Sequence, residues 1–118
     1  MSKSAPKSSD LFFEKMAIRF RLLGEPMRLR ILRELMSGAK NVTQLSENCH
    51  STVANTSRHL QVLTHHGILR RQKSGVEVYY EIGDQTIPEL CEFVCENMLS
   101  EEPPDTPFEG VAGFFRQR

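Results

Sequence analysis

Several things are missing from these 118 residues. No apolar run approaches the roughly 20 residues a membrane-spanning helix requires, which excludes a helical span. The opening MSKSAPKSSD lacks the apolar stretch of a secretory signal. Cysteine is scarce and odd in number, three in all, which argues against a secreted disulfide framework and for a reducing, cytoplasmic setting. There is no Gly-rich phosphate loop, no nucleophile elbow and no carboxylate pair with a plausible pocket, so catalysis is not expected. The length suits one domain with a modest core, and 39% apolar with 25% charged residues is ordinary for a soluble protein.

Net charge is zero, but the average conceals a division. Residues 1–73 carry 13 Lys and Arg against 5 Asp and Glu, whereas residues 74–118 carry 2 against 10. That asymmetry points to a polyanionic partner on one side and an acidic tail on the other, although two solvated surfaces give the same counts.

What is present is organised around residues 52–80. Val53, Thr56, Leu60 and Leu63 recur at helical steps and predict one buried stripe. Asn55, Ser57, Arg58 and Gln61 face the other way, with groups suited to base edges or phosphates. Gly67 ends this helix. Arg70-Arg71-Gln72-Lys73, a Ser74-Gly75 turn and the alternating Val76 to Tyr80 then predict a basic β-hairpin.

The remaining elements support that unit. Residues 1–9 have nothing to bury and are expected to form a disordered arm. Ser9 or Asp10 caps a first helix to Leu23, whose stripe of Phe13, Met16, Ala17 and Phe20, with Phe12 and Leu23 at its margins, exceeds what a small core can cover. Pro26 opens a second helix to about Ser37 that buries Met27, Ile31, Leu32 and Leu35. Asn41 and Gln44 form a capping box for a short third helix to about Cys49, and Thr52 caps the fourth. Thr86 and Glu89 read as a second capping box, starting a fifth helix to about Leu99. The resulting fold class is mainly α with a small β-hairpin, a winged helix-turn-helix in the order α-α-α-α-β-β-α. Its domain spans residues 10–99, and 100–118 reads as an acidic, proline-rich tail.

Three blocks carry a family resemblance. Gly24 through Leu32, Thr52 through Leu60 and Gly67 through Tyr80 resemble, in order, the second-helix opening, recognition helix and wing of the ArsR/SmtB (arsenic-repressor-like) regulators. The resemblance implies a homodimeric repressor of double-stranded operator DNA that an effector releases. It implies pairing of the first and last helices about a two-fold axis, which here engages Phe12, Phe13, Met16, Phe20, Leu90, Cys91, Val94 and Met98.

The family's base-facing positions fall on Val53, Ala54, Ser57 and Arg58, with Asn55 beside them and Thr52 as the cap. Arg58 is the leading reader, because a guanidinium can bond guanine O6 and N7 together. Val53 and Ala54 replace polar readers usual in the family, a change that suits thymine methyl contact or reduced specificity. Phosphate contacts are expected from Arg70, Arg71 and Lys73 on the wing and from Thr43 at a helix start.

Cys91 and Cys95 lie four apart, on one side of the fifth helix. The pair suits a soft metal or metalloid ion such as Zn(II), Cd(II) or As(III), or thiols facing each other across a dimer axis. Cysteine in an apolar stripe is equally a small core residue, and so is Cys49. The family's Cys-x-Cys pair and fifth-helix histidines are absent, so no cofactor is assigned with certainty. The rival functions are an effector-independent winged-helix repressor and a winged-helix module that binds protein.

Overall fold

The computed structural model describes residues 7–101, 107, 108 and 110–116. Among these, five helices and one antiparallel hairpin occur in the expected order: α1 (Ser8–Leu23), α2 (Pro26–Leu35), α3 (Val42–Asn48), α4 (Val53–His65), β1 (Leu69–Ser74), β2 (Glu77–Ile82) and α5 (Thr86–Glu101). Most of the arm expected over residues 1–9 lies outside the described residues, and Ser8 and Ser9 are already helical.

α2 is the spine. Its 27-31-32-35 spacing places Met27, Ile31, Leu32 and Leu35 on one side, all buried. Ile31 and Leu32 join Leu45 of α3, Leu60 and Leu63 of α4, and Ile68 in a fully buried cluster. Pro26 starts the helix without losing a hydrogen bond, and the Glu25 side chain accepts from the Met27 N–H at 3.3 Å. At α3 the Asn41–Gln44 capping box is complete: Asn41 Oδ1 accepts from the Gln44 N–H at 2.8 Å, and Gln44 Oε1 from the Asn41 N–H at 2.9 Å. The turn into α4 places His50 at φ 53°, a left-handed conformation costing about 1–2 kcal/mol in a non-glycine residue. α4 ends in a Schellman motif. Gly67, at φ 76°, donates to the Thr64 carbonyl at 3.0 Å, Ile68 donates to Leu63 at 3.0 Å, and the side chains of Leu63 and Ile68 are both fully buried.

The hairpin pairs Leu69 with Ile82 through Ser74 with Glu77. Its two-residue loop is therefore Gly75-Val76, not Ser74-Gly75, and the second strand begins at Glu77. Only the first loop position has positive φ, the II′ pattern that matches strand twist and favours glycine there. Lys40 adds a bridge to Tyr80, with hydrogen bonds of 3.1 and 2.8 Å, which fastens the α2–α3 connection to the wing.

Other expectations need correction. Val53, the first residue of α4, is 51% exposed instead of buried. The stripe's fourth buried member is His59, at 6% exposure. Asp84, not Thr86, caps α5: its Oδ1 accepts from the Thr86 N–H at 3.0 Å and the Thr86 hydroxyl at 2.6 Å. At α1 the helix begins at Ser8, and the Asp10 carboxylate accepts from the Lys7 N–H at 3.3 Å.

The C-terminal segment folds back on α5 and α2. The Phe115 N–H donates to Glu92 Oε2 at 2.9 Å, and the Cys95 thiol lies 3.7 Å from the Val111 carbonyl. Arg116 pairs with Glu96 at 2.7 Å and with Glu92 at 3.6 Å, while the Arg33 guanidinium sits 4.3 Å over the Phe114 ring.

His59 sits between α4 and α2. Arg28 Nε donates to its Nδ1 at 3.2 Å, a bond that only neutral imidazole can accept. Burial holds its pKa below the usual value. The Glu25 carboxylate, 3.8 Å from Nε2, opposes that shift, while Arg28 and Arg58 reinforce it. A depressed folded-state pKa means that the unfolded chain takes up the proton first. The stability His59 contributes is thus present above about pH 6.5 and is lost as pH falls below it. Between about pH 7 and pH 5.5 the native chain's melting temperature should fall more steeply than that of His59→Gln. Parallel curves would place the histidine outside the linkage.

Candidate nucleic-acid interface

The outer side of α4 is held at its base by a local hydrogen-bond network. The Thr52 hydroxyl oxygen accepts from the Asn55 N–H at 3.0 Å, satisfying one of the free donors at the helix start. The Asn55 amide nitrogen donates to the Ser51 hydroxyl at 2.9 Å, and its oxygen accepts from Arg58 Nη2 at 2.6 Å. Asn55 thereby ties the leading reader to the turn between α3 and α4. Arg58 is exposed, with the rest of its guanidinium donors facing outward. Behind it, Thr56 is fully buried and its hydroxyl donates to the Thr52 carbonyl at 2.8 Å, which lets threonine occupy a core position without an orphaned group.

Val53 and Ala54 are exposed on the first turn, Ser57 is half-buried, and Gln61 is exposed one turn beyond. Thr43 is exposed on the first turn of α3. A concave surface of about 590 Å³ separates α4 from the wing. Ser57, Gln61 and His65 line its helix side, and Arg71, Val78 and Tyr80 its hairpin side.

Strand alternation divides the basic wing residues. Arg71 and Lys73 share the face of buried Leu69, and Arg71 borders the concave surface beside α4. Arg70 lies on the opposite face, paired with Glu81 at 3.3 Å, and Gln72 donates to the same carboxylate at 2.7 Å. Ser57, Gln61 and Arg71 thus come together, with Arg58 exposed elsewhere on α4, whereas Arg70 is set apart. Residue type in the sequence had placed Ser57 and Gln61 on this outward side of the helix but passed over His65 as part of the concavity. The 57-61-65 spacing is the signal that places all three on one face.

Cys91 and Cys95 are remote from this surface. Cys91 is buried in the core and Cys95 half-buried. Burial raises both thiol pKa values, reinforced for Cys91 by Cys95 and for Cys95 by Glu92 and Glu96. Among the described residues no group of three or more His, Cys, Asp or Glu is placed to hold a metal ion. No described helix is long and apolar enough to cross a membrane.

Comparisons with known proteins agree with the geometry. A helix-turn-helix domain family model matches residues 23–72. The uncharacterised HTH-type transcriptional regulator MJ1325 of Methanocaldococcus jannaschii is 32% identical over 85 residues, covering 71% of this chain and 96% of that protein. Among solved structures, the homodimeric winged helix-turn-helix DNA-binding domain of Mb0332 from Mycobacterium bovis superposes with a TM-score of 0.74 at 20% identity, over 90% of this chain and 97% of that one. The antimony-specific transcriptional repressor AntR gives 0.68 at 26% identity, over 87% and 93%.

The split between the wing arginines has a measurable consequence. Arg71→Ala should weaken duplex binding severalfold and lower the slope of log affinity against log salt by about 1. Arg70→Ala, which removes a side chain already paired with Glu81, should change affinity less than about twofold. Equal losses would contradict the division of faces.

Proposed function

As the chain belongs to the helix-turn-helix transcriptional regulators, we propose that it acts, like the ArsR/SmtB regulators its sequence resembles, as a homodimeric repressor bound to operator DNA. Its family and fold are those of DNA-binding transcriptional regulators and not of enzymes. The observation that carries the specific reading is that Ser57 and Gln61 of α4 and Arg71 of the wing line one open concavity, while Arg58 is exposed on α4 and held by Asn55. α4 enters the major groove, Arg58 reads guanine, and Val53 and Ala54 offer apolar contact to a thymine methyl. Arg71, Lys73 and Thr43 neutralise or bond phosphates, while Arg70 stays engaged with Glu81 on the wing's other face.

The dimer reading is supported by apolar surface that one chain leaves open. Phe12, Phe13, Met16 and Phe20 of α1 and Val94 and Met98 of α5 are 43–64% exposed. A soluble monomer rarely leaves that much contiguous apolar surface in water. Leu90 and Cys91 sit at the edge of the same face. Pairing α1 and α5 with a second copy presents two reading helices, which suits two half-sites one helical turn apart.

The effector part of the proposal assigns release to Cys91 and Cys95. They lie one turn apart and line one groove, and the similar AntR is antimony-specific. Among the described residues no third His, Cys, Asp or Glu joins the two thiols in a metal-holding group, so the soft-ion reading calls for a site that both protomers complete.

Titration of labelled promoter fragments at two salt concentrations tests the DNA reading. Affinity should fall steeply with salt, and Arg58→Ala should cost a further tenfold or so, about 1.4 kcal/mol. An unchanged affinity in that variant would remove Arg58 as the reader. For the effector, Cys91→Ser and Cys95→Ser should keep native DNA affinity but lose release by arsenite or Cd(II). A native protein that also ignores both ions would reduce the pair to packing.

A further inference from the structure

An apolar cavity of about 400 Å³ opens between α1, α2, α5 and the folded-back C-terminal segment. Leu23, Leu29, Cys91 and Phe115 form its floor, all within or packed against the chain's own core. No charged side chain lines it, and the two thiols of Cys91 and Cys95 are its most polar side-chain groups. We infer that this cavity is a binding site for a neutral, apolar small molecule, with the C-terminal segment as one wall.

Three observations support that occupant. The volume falls in the lower part of the range of small-molecule pockets, about 300–1,000 Å³. Exposure grades across the lining: Phe20, Val94 and Met98 are exposed, whereas Leu23 and Cys91 are buried and belong to the chain's own core, not to surface that a second copy would cover. The wall is anchored: the Phe115 N–H bonds the Glu92 carboxylate and Arg116 grips Glu92 and Glu96, so Phe115 and Val111 are held at the cavity edge. An anionic ligand would be disfavoured, because its charge would be buried without a partner.

The test uses the full chain in solution and no DNA, so its outcome is separate from that of the operator reading. N-phenyl-1-naphthylamine, a neutral fluorophore, should bind saturably at one per chain, and its anionic relative 1-anilinonaphthalene-8-sulfonate at least tenfold more weakly. Val111→Phe, which fills the space from the tail without altering a helix, should reduce uptake of the neutral probe at least tenfold with the circular dichroism and the mass in solution unchanged. Leu99→Phe, which fills it from α5, serves if the first variant misfolds. Absence of saturable uptake, including in a dimer whose partner fills the space, would overturn the inference. Equal uptake by the filled variant would do the same, and equal affinity for the anionic probe would overturn the assigned ligand chemistry.

Discussion

The packing of α4 against α2 is the constraint on which the molecule depends. Thr56, His59, Leu60 and Leu63 must be withdrawn from water for the opposite side of the helix to face outward in one fixed orientation. Each fully buried leucine contributes about 1.5–3 kcal/mol, while the polar members are tolerable only because they are bonded. Thr56 returns its hydroxyl to the backbone, and His59 accepts from Arg28. The seam therefore fixes the protonation state of His59 as well as the position of Arg58, its neighbour in sequence on the opposite side of the same helix. Gly67 closes the arrangement by ending α4 where the wing must begin.

What could be read from the residues follows from the range of the forces involved. Short-range signals were legible: the Asn41–Gln44 box, the break at Gly24-Glu25-Pro26, the stripe of α2 and the stop at Gly67 each rest on contacts within a few positions. Periodicity also located the buried side of α4, but residue type hid one member. His59 completes the 56-59-60-63 pattern but was left out of the stripe, because the Arg28 that makes its burial tolerable lies 31 positions away. Val53 failed in the opposite sense: an apolar residue in helical register, it sits on the first turn of α4 and is exposed. The α5 cap was misplaced by two residues because Thr86 and Asp84 both offer oxygen, and the carboxylate, as the stronger acceptor, takes both donors. The Lys40–Tyr80 bridge and the docking of residues 111–116 are wholly long-range and left no local trace.

The uneven distribution of charge along the chain acquires a physical meaning from the fold. Acidic residues of α5 are partly neutralised within the protein, with Arg116 set between Glu92 and Glu96. On the wing, Glu81 is engaged by Arg70 and Gln72, so the carboxylate nearest the basic strand is paired on the face away from α4. Arg58, Arg71 and Lys73 are left without carboxylate partners among the described ion pairs. A phosphate backbone approaching α4 and the wing thus meets cations whose charge is not already cancelled, despite a net charge of zero.

Any influence of the α5 side on DNA reading has to travel through packed elements, and a continuous route exists. Glu92 holds the C-terminal segment by the Phe115 N–H. Phe114 of that segment lies under Arg33 of α2, Glu34 beside it pairs with Arg33, and Asn48 of α3 donates to Glu34 at 3.1 Å. Contiguity alone transmits nothing, because coupling requires an element with two arrangements whose balance both ends can bias. The helices are poor candidates, since shifting α2 would disturb fully buried Ile31 and Leu32. The C-terminal segment is the better one. It is held by surface ion pairs, one backbone-to-carboxylate bond and a cation–π contact, each worth on the order of 1–3 kcal/mol or less. Its release would free Arg33 from Phe114 at the back of the helix-turn-helix and withdraw Phe115 from the edge of the core. The weakest-held part of the molecule therefore lies between the exposed apolar face and the helices that carry the reading residues.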